Sequence, residues 1–211
     1  MKMKQFRGCS RLYYATITVG ENGTVTYSTP IKVGEVKSIS REISSESEEV
    51  WADNKIDDTV FGGTAVTRTF GMTRLAPEVE AALLGNKSIE VGTTNKIKLY
   101  GTPADGSARP YLAFGYALHD GNVNRPCEVV WAYKGIVNSI TKTANTIDRG
   151  TGSEGQEINV TFNAPDKAWT KTSGNELDFY MPLDSKVDNS ALVNKWFAKV
   201  ITPDNAETEL A

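Results

Sequence analysis

The chain has 211 residues, 39% of them hydrophobic and 23% charged, with a formal net charge of −3 and a mean hydropathy of −0.35. That size suits one domain, and no apolar run approaches the roughly 18 residues of a membrane span. A pI near 5.4 with scattered Lys and Arg argues against a sequence-reading nucleic-acid binder, which needs a basic footprint.

The amino terminus, MKMKQFRGCSRLYYATITV, is basic but lacks the continuous apolar core of a secretory signal, so a reducing cytoplasm is the expected site of synthesis. LYYATITV and TVTYSTPIKV flank GENG, whose Asn22-Gly23 favours positive φ. They predict a hairpin. A long β-hairpin is expected over 36–75. In APEVEAALLGN, Pro77 suits a first helical position, Glu78 and Glu80 sit near the positive end of the dipole, and Gly85 can stop the turn. A helix over 77–85 follows. NKIKLY, RPYLAFGYALHD, CEVVWAYKGIVNSITKTA, QEINVTFNAP and NELDFYMPL then predict further strands. Leu192, Val193, Trp196, Phe197 and Val200 recur at helical spacing and predict a short helix over 190–201. Residues 204–211 predict a polar, mobile tail after a single domain spanning 1–203.

Motifs for catalysis or cofactors are sparse. Gly150-x-Gly152-x-x-Gly155 has dinucleotide-binding spacing, but a strand-like segment follows it where that chemistry needs a helix. Cys9 and Cys127 are two cysteines and His119 is the single histidine. They define neither a metal site nor a triad and suit small or buried roles. No enzyme, cofactor or metal is therefore expected, although carboxylates are numerous enough for an acid pair to be imagined.

One segment stands apart. Residues 39–58, ISREISSESEEVWADNKIDD, hold seven carboxylates against one Arg and one Lys. That is about −5 within a chain of −3, leaving about +2 elsewhere. A strand alternates faces. The even positions Ser38, Ser40, Glu42, Ser44, Glu46 and Glu48 make one face small-polar or acidic, while Ile39, Ile43 and Trp51 lie at odd positions. A hairpin this long cannot bury its faces alone and asks for neighbours.

MKQFRGCSRLYYATIT, VTYSTPIKV, VKSISREISSESEEVWADN, MTRLAPEVEAALLG, RPYLAFGYALHDGNVNRPCEVVWAYKGIV and NKWFAKVITP, in this order, resemble the major tail (tail tube) proteins of long-tailed bacteriophages, of the phi13 type. The resemblance implies a mostly β fold: a two-sheet β-sandwich with one flanking α-helix, the long hairpin and a short C-terminal helix. It implies a structural virion protein of the tail, made in the host cytoplasm. Hexameric rings would stack into a tube whose inner β-barrel conducts DNA without specific binding. Implied partners are further copies of the chain, the tape measure protein, and the tail initiator, distal tail and terminator proteins. Glu42, Glu46 and Glu48 become candidates for the lumen. Ile39, Ile43, Trp51, Trp196 and Phe197 become candidates for packing or interfaces. A competing reading is a β-sandwich module that binds carbohydrate or peptide through exposed Tyr13, Tyr14, Trp131 and Tyr133.

Overall fold

The computed structural model describes the chain apart from residues 1–4, 23, 53–54, 94, 105–108, 123, 144–154 and 167, and gives the backbone alone for 46–52 and 55–63. Eleven strands and three helices are described: β1 (Gly8–Val19), β2 (Val25–Tyr27), β3 (Ile31–Gly34), β4 (Val36–Ala52), β5 (Lys55–Met72), α1 (Pro77–Leu84), β6 (Lys87–Val91), β7 (Ile97–Gly101), β8 (Tyr111–His119), β9 (Glu128–Lys142), β10 (Gln156–Phe162), β11 (Asp178–Pro182), α2 (Ser190–Ala198) and α3 (Ala206–Leu210). The mostly β expectation holds. The dinucleotide-like glycine spacing starts at Gly150, outside the described residues.

The main antiparallel sheet runs β2-β1-β8-β9-β10-β5-β4, with β3 added to β1 and β11 to β9. β9 organises it. Its residues 128–136 pair with β8 on one edge, while β11 takes 128–132 and β10 takes 135–142 on the other. Lys134, at φ 48°, lies where β9 leaves one layer for the next, the way strands turn sandwich corners. One layer thus holds β1, β8, the first half of β9 and β11. The other holds the second half of β9, β10, β5 and β4.

Between the layers, Phe70 of β5 stacks on Phe114 of β8 at 5.4 Å, and Phe162 of β10 meets Phe114 edge-on at 6.0 Å. Leu83 of α1 and Leu75 join this core. α1 starts with Pro77 at its first turn and stops at Gly85, whose φ of 69° is left-handed, a conformation that costs a β-carbon-bearing residue more. A second core lies on the opposite face of β8 and β9. There Val193, Trp196 and Phe197 of α2, with Val200 and Ile201, cover Ala113, Val129, Trp131 and Tyr133. Trp131 Nε1 donates to the Trp196 carbonyl at 2.9 Å, and the Tyr133 hydroxyl donates to the Ile201 carbonyl at 2.5 Å. Each buried polar tip is thereby satisfied. A β-carbon at Gly115 would lie 2.8 Å from three ring carbons of Trp131. Gly115→Ala is expected to cost about 1–3 kcal/mol by overpacking, read as a lower urea midpoint.

Two local expectations differ from the structure. The tail is not a free polar segment, because residues 206–210 form α3, whose Ala206 and Leu210 pack on the second core. Lys199 pairs with Glu209, and Lys171 with Glu207 at 2.7 Å. The sequence reading also omitted β6, which pairs with β7 in a separate two-stranded ribbon. Its KSIEV is only five residues long, with two charged side chains and two large apolar ones.

Candidate assembly surface

The layer β4-β5-β10-β9 has an inner apolar face and an outer face built from small polar side chains. Cross-strand register sets Ser40 against Thr69, Glu42 against Thr67 and Ser44 against Ala65. β10 places Asn159 beside Thr69 and Thr161 beside Thr67, and β9 contributes Ser139 and Thr141. Asn138 and Ser139 both stand opposite Asn159 at a bulge, so both reach this face. Hydrogen bonds run across the strands: Thr69 Oγ1 to Asn159 Oδ1 at 2.7 Å, Asn159 Nδ2 to Ser139 Oγ at 3.1 Å, and Asn138 Nδ2 to Thr161 Oγ1 at 2.6 Å. Glu42 and Glu157 are exposed and are the charges of these rows among the described residues. The hairpin's two described arginines, Arg41 and Arg68, belong to the opposite face, where both pair with Asp178.

Two edges of this layer carry no strand among the described residues. β4 pairs with β5 alone. Beyond Ile136, the β8-side edge of β9 is unpaired, and Arg109 Nη1 donates to the Val137 carbonyl at 2.7 Å at its start. Unpaired edges are templates for strand addition.

The hairpin's register is interrupted three times. At its base Lys37 is an extra residue of β4, since Val36 faces Met72 and Ser38 faces Gly71. Further out, Gly62 and Gly63 stand opposite Glu46, and Asp57 is extra near the tip, both on β5. β4 itself therefore runs from Ser38 to Ala52 with no inserted residue. Bulges bend the strand that carries them.

Where the layers part, Arg7, Lys37, Arg41 and Arg68 line a cleft of about 470 Å³ together with Glu128 and Asp178. Arg68 is 1% exposed. Its guanidinium lies 4.7 Å from the Phe162 ring centre and its Nε donates to the Tyr116 hydroxyl at 3.1 Å. Asp178 takes the remaining charge, paired with Arg68 and, at 3.2 Å, with Arg41. This triad joins the base of the hairpin to β11 across the sandwich. Arg68 Nη1 is buried with no hydrogen-bond partner among the described residues. Burial raises the Glu128 carboxyl above its ordinary range, against the opposing pull of Arg41.

The residues singled out in the sequence separate as follows. Glu42 is exposed, while Glu46 and Glu48 lie on β4 with side chains outside the described residues. The Trp51 side chain is likewise outside them; its backbone pairs with Ile56. Ile39 packs at the margin of the first core, and Ile43 is 57% exposed. Trp196 and Phe197 are buried against their own subunit. The aromatic-binding alternative loses its aromatics. Tyr14, Trp131 and Tyr133 are buried, and Tyr13 stacks on Phe197 at 5.2 Å. The first part of β9, Val129 to Tyr133, is apolar on both parities because both its faces are covered. His119 is a satisfied core residue, bonded to Ser10 Oγ at 2.7 Å and the Asn122 carbonyl at 2.9 Å. Cys9 and Cys127 are half-buried and form no disulfide with each other, and Cys127 Sγ donates to the Leu118 carbonyl at 3.4 Å. Sequence reading missed Glu157, Asn159 and Ser139, which join the polar face through strand pairing alone.

No family model matches the chain, and no curated protein matches it. Among solved structures it is similar to a chain of the anti-feeding prophage cap (the tube terminating cap), at 11% identity and a TM-score of 0.39, covering 82% of this chain and 89% of that one. A chain of the sheath-tube complex of an extracellular contractile injection system in its extended state gives 12% and 0.38, covering 82% and 90%. A chain of the native gene transfer agent virion gives 10% and 0.34, covering 70% and 88%. Identities this low leave function to the residues themselves.

Proposed function

We propose that the chain is a structural subunit of a phage tail tube, assembling as stacked hexameric rings whose inner β-barrel conducts DNA. The observation that carries this reading is the four-stranded layer. One of its faces is buried. The other is a sheet of hydroxyls, amides and carboxylates with no large apolar side chain in its rows among the described residues. Free edges flank it on both sides.

Joining β4 of one copy to the end of β9 in the next is a head-to-tail contact that closes into a ring when the rotation permits. Closure removes both edges at once. Six copies contribute 24 strands; at about 4.8 Å per strand the circumference is about 115 Å and the diameter about 37 Å, wide enough for a duplex. In this arrangement Glu42, Glu46 and Glu48 face the lumen, joined by Glu157. Among the described residues the rows of this wall offer DNA phosphates hydroxyls, amides and carboxylates, with Lys37 at one end beside Ser38, Gly71 and Glu157, so the duplex meets little that would hold it through counterion release. The seven-carboxylate segment is then a surface that avoids adhesion. The tape measure protein and the initiator and terminator proteins are the partners this reading calls for, and the virion tail is its location.

Negative-stain microscopy of the concentrated protein tests the proposal. Rings or hollow tubes are expected. A strict monomer at every concentration and salt would overturn it.

A further inference from the structure

β4 and β5 set Arg41 directly opposite Arg68, and the two guanidiniums share one carboxylate, Asp178. Like charges placed across a strand pair repel, so this corner of the sandwich is one negative charge short. Arg68 is 1% exposed, and its Nη1 is buried with no hydrogen-bond partner among the described residues. A buried donor left unsatisfied is costly. Both arginines line the cleft of about 470 Å³ at the hairpin base, together with Arg7, Lys37, Glu128 and Asp178. Four cations against two carboxylates leave a surplus of about +2. Its rim is aromatic: Phe6 is 58% and Tyr180 61% exposed, and both belong to the lining.

We propose that the cleft binds a small phosphate monoester that carries a planar ring, as nucleoside monophosphates do, with the phosphate on Arg41 and Arg68 and the ring against the rim. The charge surplus selects the anion. A phosphate monoester holds about −1.5 to −2 at neutral pH, which matches the surplus, whereas a single carboxylate would cancel half of it. Guanidinium forks take phosphate oxygens in pairs, and an oxygen reaching Arg68 satisfies the donor that the fold leaves open. The rim selects the rest of the ligand. Phe6 and Tyr180 present aromatic faces, on which a planar ring stacks whatever its substituents. The cleft has the volume of a small-molecule site. Every group in it belongs to one copy, so the site exists whether or not the chain assembles.

Calorimetry on the dilute full-length chain tests this, with adenosine monophosphate, inorganic phosphate and benzoate titrated separately at 50 mM salt. Adenosine monophosphate is expected to fill one saturable site per chain. Its affinity should fall at least tenfold in Arg41→Gln, and at least tenfold on raising salt to 500 mM. Tyr180→Ala should weaken adenosine monophosphate at least fivefold and leave inorganic phosphate unchanged, a difference that partial unfolding would not produce. Circular dichroism and urea midpoints show whether each variant keeps its fold. Where Arg41→Gln shifts the midpoint, Arg7→Gln, outside the Asp178 pairs, takes its place and should also weaken binding. Absence of saturable binding, or binding indifferent to both Arg41 and Arg7, overturns the site. Benzoate bound as tightly as adenosine monophosphate overturns the choice of phosphate. Inorganic phosphate bound as tightly overturns the part given to the ring.

Discussion

Asp178→Ala is expected to lower folding stability by about 3–5 kcal/mol, because it strands a buried guanidinium. Arg68 is 1% exposed and its side chain sits over Phe162 and beside Tyr116. Without the carboxylate its charge has two aromatic rings and one hydroxyl as neighbours. Those contacts are worth about 1–2 kcal/mol each, less than the desolvation they would have to offset. Arg41 contributes less, since its side chain is 40% exposed and water competes for the pair. Urea unfolding with an unchanged m-value and a lower midpoint is the expected record. Replacing both partners, as Arg68→Leu with Asp178→Leu, should recover most of the loss, because isosteric apolar pairs often match a buried ion pair. A loss of under about 1 kcal/mol in the single variant would show that water or another group already satisfies Arg68.

Converting the proposed lumen from repulsive to adhesive is the second large effect. In Glu42→Lys with Glu157→Lys, each copy changes the charge of its polar face by about +4, and a ring of six multiplies that change. Tubes of this variant are expected to retain short duplex DNA at 50 mM salt, where wild-type tubes retain none. If the duplex meets about 6–10 lysines, affinity should fall about 10³- to 10⁵-fold between 50 and 200 mM salt, with a log–log slope near −0.9 per phosphate contacted. Both residues are exposed on the strand surface, so folding should be unaffected within about 0.5 kcal/mol. Variant tubes that bind no more DNA than wild type would place these carboxylates outside the lumen.

The parts of this architecture visible in the sequence are those written locally. Pro77 and Gly85 bracket α1, and the spacing of Val193, Trp196 and Phe197 marks α2 and its buried side. Alternation separates Ile39 from Ser38 and Ser40, as burial does. What long-range pairing creates was hidden. Arg68 and Asp178 are 110 residues apart, and either alone reads as a surface charge on an alternating strand. Trp131 and Tyr133 looked exposed because a strand covered on both faces has no polar side to mark the other. The hydroxyl and amide rows of β5, β10 and β9 are each unremarkable as sequence, and only register brings Thr69, Asn159 and Ser139 into one line. The tail was misjudged for a related reason: Leu210 is the single large apolar residue of its last turn, and the surface it packs on is assembled from distant segments.

The passage of β9 from one layer to the other has a mechanical consequence. A wall made of separate sheets carries load across hydrogen bonds and side-chain contacts, which yield one at a time under peeling. Here the layer proposed to face the lumen and the body of the subunit share an unbroken backbone from Glu128 to Lys142. Tension between wall and body therefore runs along covalent bonds, and separating them requires β8, β10 and β11 to slide off β9 together. Shear of that kind loads many bonds in parallel, and the proposed tube, built this way, would stay stiff.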